Sequence, residues 1–169
     1  VLDLDAVNTL DRAAFVAALG PCFEHSPWVA ERTFARRPFA SVAALHAAMI
    51  GVVRRAERQT QIDFLRAHPE LAGQEAQAGT MTEHSVSEQA SAGLNALSHD
   101  EFVELRRLNA RYRDRHGFPF IVAVRRHDKA QIFALLRRRT EADTEAELLE
   151  ALEQIAAITR LRVEAQVAA

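Results

Sequence analysis

Residues that interrupt helices are scarce in this chain. Of its 169 residues, 6 are glycine and 5 are proline, against 32 alanines, 20 arginines and a single lysine, Lys129. Alanine and arginine favour helices, whereas glycine and proline break them. The chain is therefore predicted to be all-α, with its few breakers marking the ends of helices.

Capping signals divide the chain into about seven to eight helices, which we expect to pack as a single compact bundle. Helices are predicted to begin near Thr9, Ser26-Pro27, Ser41, Thr60 and Asp128. Three S/T-x-x-E capping boxes predict further starts at Ser85, Ser98 and Thr144. Residues 71–81 are predicted to form a loop, and residues 118–124 a buried extended segment or an irregular helix start. The length predicts one domain over residues 1–169.

Charge and cysteine content exclude several classes of protein. A formal net charge of -2 gives no global basic field for nucleic acid. We interpret the arginine clusters as solvated helix faces: Arg54-Arg55, Arg106-Arg107, Arg125-Arg126 and Arg137 to Arg139. One cysteine, Cys22, excludes an intrachain disulfide and a cysteine-rich zinc site. No signal-peptide or membrane-span pattern is recognised, so a cytoplasmic location is the expectation.

One of the seven histidines is predicted at a position that could be either structural or functional. None of the seven lies in an HExxH motif or another zinc-ligand spacing, and the pair His84 and Glu88 is only a weak metal signal. His68-Pro69 is predicted at a helix end, followed by a glycine-bearing loop. A histidine there can simply end the helix, where the helix dipole favours its cationic form. The same imidazolium would also be a competent proton donor near neutral pH.

Three further features allow both a structural and a functional interpretation. Ser85, Glu88 and Gln89 share one helix face, either as a capping box or as an anion and amide site at a helix N-terminus. The segment 118–124 is either core or a backbone that binds a planar amide. Arg162, flanked by apolar residues, forms either a structural ion pair or a grip for a carboxylate.

Several motifs, taken in order, resemble a known family. They are EHSPWVAE at Glu24–Glu31, AHPELAG at Ala67–Gly73, SVSEQASAGL at Ser85–Leu94, LNARYRDRHGFPFIVAV at Leu108–Val124 and LRVE at Leu161–Glu164. Together they resemble the 2-oxo-4-hydroxy-4-carboxy-5-ureidoimidazoline (OHCU) decarboxylase family of urate degradation. The resemblance covers nearly the whole chain, and each motif alone would be weak.

The resemblance implies an all-α fold, no cofactor, no metal, a homodimer, and decarboxylation of OHCU to (S)-allantoin. It implies that His68 is the catalytic proton donor. Glu88 is the second predicted catalytic residue, and it would orient either His68 or the substrate hydroxyl. The implied substrate-binding residues are Pro69, Ser85, Val86, Ser87, Glu88, Gln89, Phe120, Ile121, Val122, Ala123, Val124 and Arg162. Arg160 is the alternative to Arg162 as the arginine that binds the substrate carboxylate. The alternatives are a helical protein-interaction module or inactive relative, and an enzyme acting on a related ureide.

Overall fold

The computed structural model describes residues 1–168, and their regular structure is almost entirely helical. Ten α-helices lie in this range. In chain order they are α1 (Leu4–Thr9), α2 (Arg12–Leu19), α3 (Trp28–Thr33), α4 (Val42–Arg54), α5 (Arg58–Arg66), α6 (Gln74–Ala78), α7 (Glu83–Ser91), α8 (His99–His116), α9 (Lys129–Thr140) and α10 (Thr144–Gln166). Single 3₁₀ turns occupy Gly20–Cys22, Phe34–Arg36 and Val124–Arg126.

A two-stranded parallel sheet was not expected from the sequence. Its strands are β1 (Leu2–Asp3) and β2 (Val167–Ala168), and Leu2 pairs with Val167. With two residues each, these strands are too short for an alternating pattern to reveal them. The all-α prediction therefore holds for the bulk of the described chain.

The predicted number of seven to eight helices is wrong because two short helices were missed. Helix α1 begins after Asp3, whose carboxylate accepts a hydrogen bond from the Asp5 N–H. Helix α6 lies inside the predicted loop and ends at Gly79, whose φ of 68° is a left-handed conformation that suits glycine. Helices of five or six residues cannot show a helical hydrophobic period, so only their caps could have marked them.

Half of the predicted caps are at different residues. The caps at Ser41 and Asp128 and the capping box of Ser98 with Glu101 are confirmed. The starts at Thr9 and Thr60 are wrong, because Asp11 caps α2 and because α5 already begins at Arg58, after Glu57. The boxes predicted at Ser85 and Thr144 are also wrong: Thr82 caps α7, and the Asp143 carboxylate accepts from the Glu145 and Ala146 amides at the start of α10.

Contacts group the chain into two compact units. The first comprises residues 1–67 with the chain from Ala156 onward, and the second comprises residues 68–155. In the first unit α3 packs on α4, around buried side chains that include Phe15, Phe23, Leu45, Met49 and Val163. In the second unit α8 packs on α9, around Leu105, Tyr112, Phe118, Phe120, Ile132 and Leu136. One domain over residues 1–169 stays a prediction.

Candidate functional site

His68 lies just past the end of α5, at the beginning of the second unit. The helix ends at Arg66, and the Ala67 amide completes its last turn with bonds to the Asp63 and Phe64 carbonyls. The residue before a proline disfavours the helical conformation, so Pro69 keeps His68 out of the helix. The His68 side chain is buried, with 7% of its surface exposed. It therefore lies two residues beyond the helix rather than within its last turn.

The loop after His68 is fixed by two amide side chains. Gln89 Oε1 accepts from the Ala72 amide at 2.8 Å, and Gln89 Nε2 donates to the Glu70 carbonyl at 3.4 Å. Asn109 Nδ2 donates to the Leu71 carbonyl at 3.0 Å. Ala72 has a φ of 47°, a left-handed conformation that non-glycine residues rarely adopt. These bonds hold a strained loop in one conformation, directly after the buried histidine.

Helix α7 carries the predicted binding residues Ser85, Val86, Ser87, Glu88 and Gln89. Ser85 and Gln89 are buried, Glu88 is half-buried, and Val86 and Ser87 are exposed. Because residues i, i+3 and i+4 share a helix face, the predicted face of Ser85, Glu88 and Gln89 exists. However, Ser85 lies within the helix rather than at its cap, so the first free amides of α7 belong to residues before it.

The segment Phe120–Val124 is buried and largely irregular, as predicted, and its last residue begins the 3₁₀ turn Val124–Arg126. Two side chains bind its backbone from α9 and α10. Arg139 Nη1 donates to the Ile121 carbonyl at 2.8 Å, and the Ala123 amide donates to Gln154 Oε1 at 2.9 Å. The segment therefore has specific partners on both sides of Val122.

The structure brings two of the predicted binding segments together within the second unit. Helix α7 packs against the turn Val124–Arg126. Arg125 Nη2 also donates to the Ser87 hydroxyl at 3.0 Å. Thus α7, which binds the loop after His68 through Gln89, also contacts the end of the Phe120–Val124 segment.

Arg162 lies in the first unit, where its structural interpretation is supported. Its guanidinium is buried, with Nη1 2.9 Å from Glu24 Oε2, and the Glu24 side chain is fully buried. Arg160, the competing candidate, is exposed and pairs with Glu164 along α10 at 2.8 Å. Arg162 is therefore the only one of the two that is buried.

Cys22 is not poised as a nucleophile. The thiol is buried in the first unit, and this burial raises its pKa to about 11, although the nearby Arg162 charge opposes the rise. A thiol with that pKa is protonated at neutral pH, and the thiolate is the nucleophilic form.

A cavity of about 610 Å³ lies among α6, α7 and the start of α8. Val86 and Gln89 line it together with Ala72, whereas His68, Ser85 and Glu88 do not. None of its lining residues, all within residues 72–102, is Asp, Glu, Lys or Arg. The lining of this cavity by itself therefore supplies no Lys or Arg side chain to bind an anionic substrate.

Metal-binding clusters and membrane-spanning helices are both absent from residues 1–168. Across residues 1–168, no group of three or more His, Cys, Asp or Glu side chains could hold a metal ion. In the same range, no helix combines the length and apolarity needed to cross a bilayer.

Sequence reasoning missed Arg139, Gln154 and Asn109. Arg139 was grouped with a run of exposed arginines, and that interpretation is wrong for this residue, which is 5% exposed. A signal was present: Ile132, Leu136 and Arg139 are spaced i, i+4 and i+7, so they share the buried face of α9. Gln154 and Asn109 had no comparable signal, because their partners are backbone groups more than 30 residues away.

We expect the replacement Gln89→Leu to destabilise the protein. It would leave the buried Ala72 amide without its acceptor, at a cost of about 1–3 kcal/mol. Thermal unfolding should show a midpoint lower by about 2–12 °C. The control is Ser91→Ala, which removes an exposed hydroxyl from the same helix and should change stability by less than about 0.5 kcal/mol. Equal midpoints for the two variants would contradict the fixing role of Gln89.

Comparisons with known proteins agree with the motifs. The family model described as OHCU decarboxylase matches residues 8–164. The 2-oxo-4-hydroxy-4-carboxy-5-ureidoimidazoline decarboxylase of Haloferax volcanii is 44% identical over 96% of this chain and 94% of its own length. The Bacillus subtilis uric acid degradation bifunctional protein PucL is 42% identical over 95% of this chain, which spans 32% of that protein's length.

A solved structure shares the fold. The crystal structure of (S)-allantoin synthase superposes with a TM-score of 0.79 and 28% sequence identity, over 99% of this chain and 54% of that one. The likeness therefore extends over both compact units. Since the family model and full-length relatives cover the same residues, this chain belongs to the OHCU decarboxylase family.

Proposed function

We propose that this protein catalyses decarboxylation of OHCU to (S)-allantoin in urate degradation, without a cofactor. The observation that carries the proposal is a buried histidine in a fixed loop. His68 is buried, and the loop behind it is bound by Gln89 of α7 and Asn109 of α8. A proton donor has to be held in one position to deliver its proton to one face of a carbon. The names of the relatives support the choice of substrate.

The substrate contains its own electron acceptor. One ring carbon carries both the hydroxyl and the carboxylate, and the neighbouring carbon carries the ureido group and a C=N bond. When the bond to the carboxylate breaks and carbon dioxide leaves, its electron pair forms a C=C bond to that neighbour. The π pair of the C=N bond then moves to nitrogen, which takes up a proton. The result is an enol-like intermediate, and no electrons have to be stored elsewhere.

The second step sets the stereochemistry, and we assign it to His68. A proton must arrive at the ureido-bearing carbon from one face, while the hydroxyl loses its proton to become a carbonyl. An imidazolium is a suitable donor near neutral pH. Glu88, half-buried on α7, would orient either His68 or the substrate hydroxyl. His68 and Glu88 are thus the proposed catalytic residues.

The remaining proposed site residues would bind substrate. Pro69, Gln89 and the segments 85–89 and 120–124 would surround the ring and its ureide, through side-chain amides and backbone groups. Gln89 already binds the backbone of the loop after His68, so part of its contribution would be to hold that loop. Arg162 would meet the carboxylate, since a guanidinium carries five donors in a planar fork and can serve Glu24 and an anion together.

The organisation of the working protein is also part of the proposal. The family model spans residues from both compact units, which supports one functional domain over residues 1–169. We further propose a homodimer, as the resemblance implies, and a location in the cytoplasm. Sedimentation equilibrium would test the dimer directly.

The function can be tested without isolating the unstable substrate. Urate is converted by uricase and by the hydrolase of the next step, and circular dichroism then follows the appearance of one allantoin enantiomer. The protein is expected to accelerate formation of (S)-allantoin over the spontaneous, racemic decay. Equal rates with and without the protein would reject the proposal in favour of an interaction module or an inactive relative.

A further inference from the structure

A buried arginine in the second unit binds the proposed substrate segment. Arg139 is on the apolar face of α9 and is 5% exposed. Its Nε donates to both oxygens of Glu147 at 3.1 and 3.0 Å, while Nη1 donates to the Ile121 carbonyl. The guanidinium also lies over the Phe120 ring, 4.7 Å from its centre. One side chain thus contacts two consecutive residues of the segment.

The Glu147 carboxylate is itself held in place. The Tyr112 hydroxyl, from α8, donates to Glu147 Oε2 at 2.5 Å, and both side chains are buried. Burial and the hydrogen bond to Glu147 raise the pKa of Tyr112, so this hydroxyl stays protonated and keeps donating. We call Tyr112, Arg139 and Glu147 the arginine cluster. It links α8, α9 and α10 to the segment.

Stability alone is a poor explanation of the arginine cluster. Removing two charges from water costs free energy that offsets much of their mutual attraction. Well-packed apolar side chains in the same positions often give equal stability. Within residues 1–168, moreover, nothing accepts a hydrogen bond from the buried Nη2 of Arg139. A buried donor without a partner lowers stability. What the cluster does supply is a rigid donor aimed at one backbone carbonyl.

A second anchor acts on the other side of Val122. The Gln154 carbonyl oxygen accepts from the Ala123 amide, and Gln154 Nε2 donates to Glu150 at 2.7 Å. An irregular segment has no strand ladder or helical turn to satisfy its backbone groups. Arg139 and Gln154 therefore fix one carbonyl and one amide of the segment, two residues apart.

We propose that Arg139 and Gln154 are positioning residues for substrate binding, which hold the backbone of Phe120–Val124 in the conformation that recognises the planar ureide. This inference rests on the proposed function and goes beyond it, because neither residue needs to touch the substrate. Loosening the segment should then weaken binding more than it slows the chemistry. Such an effect appears in KM rather than in kcat.

The test compares four variants under the coupled circular dichroism assay, below their unfolding temperatures. Gln154→Met removes the acceptor for Ala123 and should raise KM about 3- to 10-fold, the value of one hydrogen bond. The double variant Gln154→Glu with Glu150→Gln retains an acceptor oxygen for Ala123 and an amide donor between the two side chains, so it should keep most of the wild-type KM. Arg139→Lys keeps a positive charge but lacks the planar fork, so KM should rise about 10- to 100-fold.

The control for simple destabilisation is Thr140→Val. Thr140 is next to Arg139, equally buried, and donates only within α9 to the Leu136 carbonyl. The KM of Thr140→Val should match that of the wild type even if the unfolding midpoint of this variant falls. If Arg139→Lys does not fold, the comparison of the two Gln154 variants alone tests the positioning role.

Wild-type KM values in both Gln154→Met and folded Arg139→Lys would overturn the positioning role while leaving the proposed function intact. A fall in kcat at unchanged KM would equally contradict it. If the wild-type protein itself produced no (S)-allantoin, the proposed function would fail first, and this inference with it.

Discussion

Replacement of His68 by asparagine is expected to lower turnover by about 100- to 10,000-fold, the usual contribution of one positioned acid or base. Asparagine fills a similar space and can still donate a hydrogen bond, but it cannot transfer a proton. The loop bonds made by Gln89 and Asn109 do not involve the imidazole, so the fold should persist. Initial rates of (S)-allantoin formation measure the loss.

Two comparisons separate a catalytic role of His68 from a structural one. The unfolding midpoint of His68→Asn should stay close to wild type, and KM should change less than kcat, since the missing step is proton delivery. The control His99→Asn alters an exposed histidine at the start of α8 and should keep wild-type kinetics. Normal turnover in His68→Asn would show that another group supplies the proton.

Replacement of Arg162 by alanine is expected to cause the largest loss of stability. It removes the guanidinium that lies 2.9 Å from the buried Glu24 carboxylate, and breaking a buried pair in this way costs about 3–5 kcal/mol. For a protein of this size, that corresponds to a midpoint lower by about 6–20 °C. The double variant Glu24→Gln with Arg162→Met removes both charges and should recover a large part of the loss.

The control is Arg160→Ala, two residues away on the surface of α10. Exposed ion pairs contribute little, so its stability should change by less than about 0.5 kcal/mol. KM measured on folded Arg162→Ala then addresses the proposed carboxylate contact separately. A raised KM supports that contact. An unchanged KM with a large stability loss restricts Arg162 to its pair with Glu24.

Local signals in the sequence located most of the longer helices, but they missed the capping residue in half of the cases. Ser98 with Glu101 and Asp128 cap their helices because each signal is complete within four residues. The same pattern failed at Ser85 because Thr82, one turn earlier, competes for the cap and wins. A capping motif thus narrows the start of a helix to about one turn, and it cannot choose between two suitable hydroxyls.

The candidate site depended on information that no local pattern carries. Glu24 and Arg162 meet across 138 residues of sequence, and Asn109 reaches the Leu71 carbonyl across 38. Which distant residues meet in such pairs depends on how the helices pack. Charge clustering misled in one case: Arg137 and Arg138 are exposed as predicted, but Arg139 faces inward. The position of Arg139 on the apolar face of α9 predicts its burial, whereas the neighbouring arginines suggest exposure.

The strained loop after His68 also limits how this sequence can vary. The left-handed backbone at Ala72 admits glycine, asparagine or aspartate readily, and it disfavours the branched side chains of valine and isoleucine. At Gly73 a Cβ atom would come within 2.8 Å of the Glu70 Cβ, so no larger residue fits without a shift of the loop. Two adjacent positions are thus restricted for different reasons, one by dihedral angle and one by space. Saturation mutagenesis should therefore recover different sets of tolerated residues at positions 72 and 73.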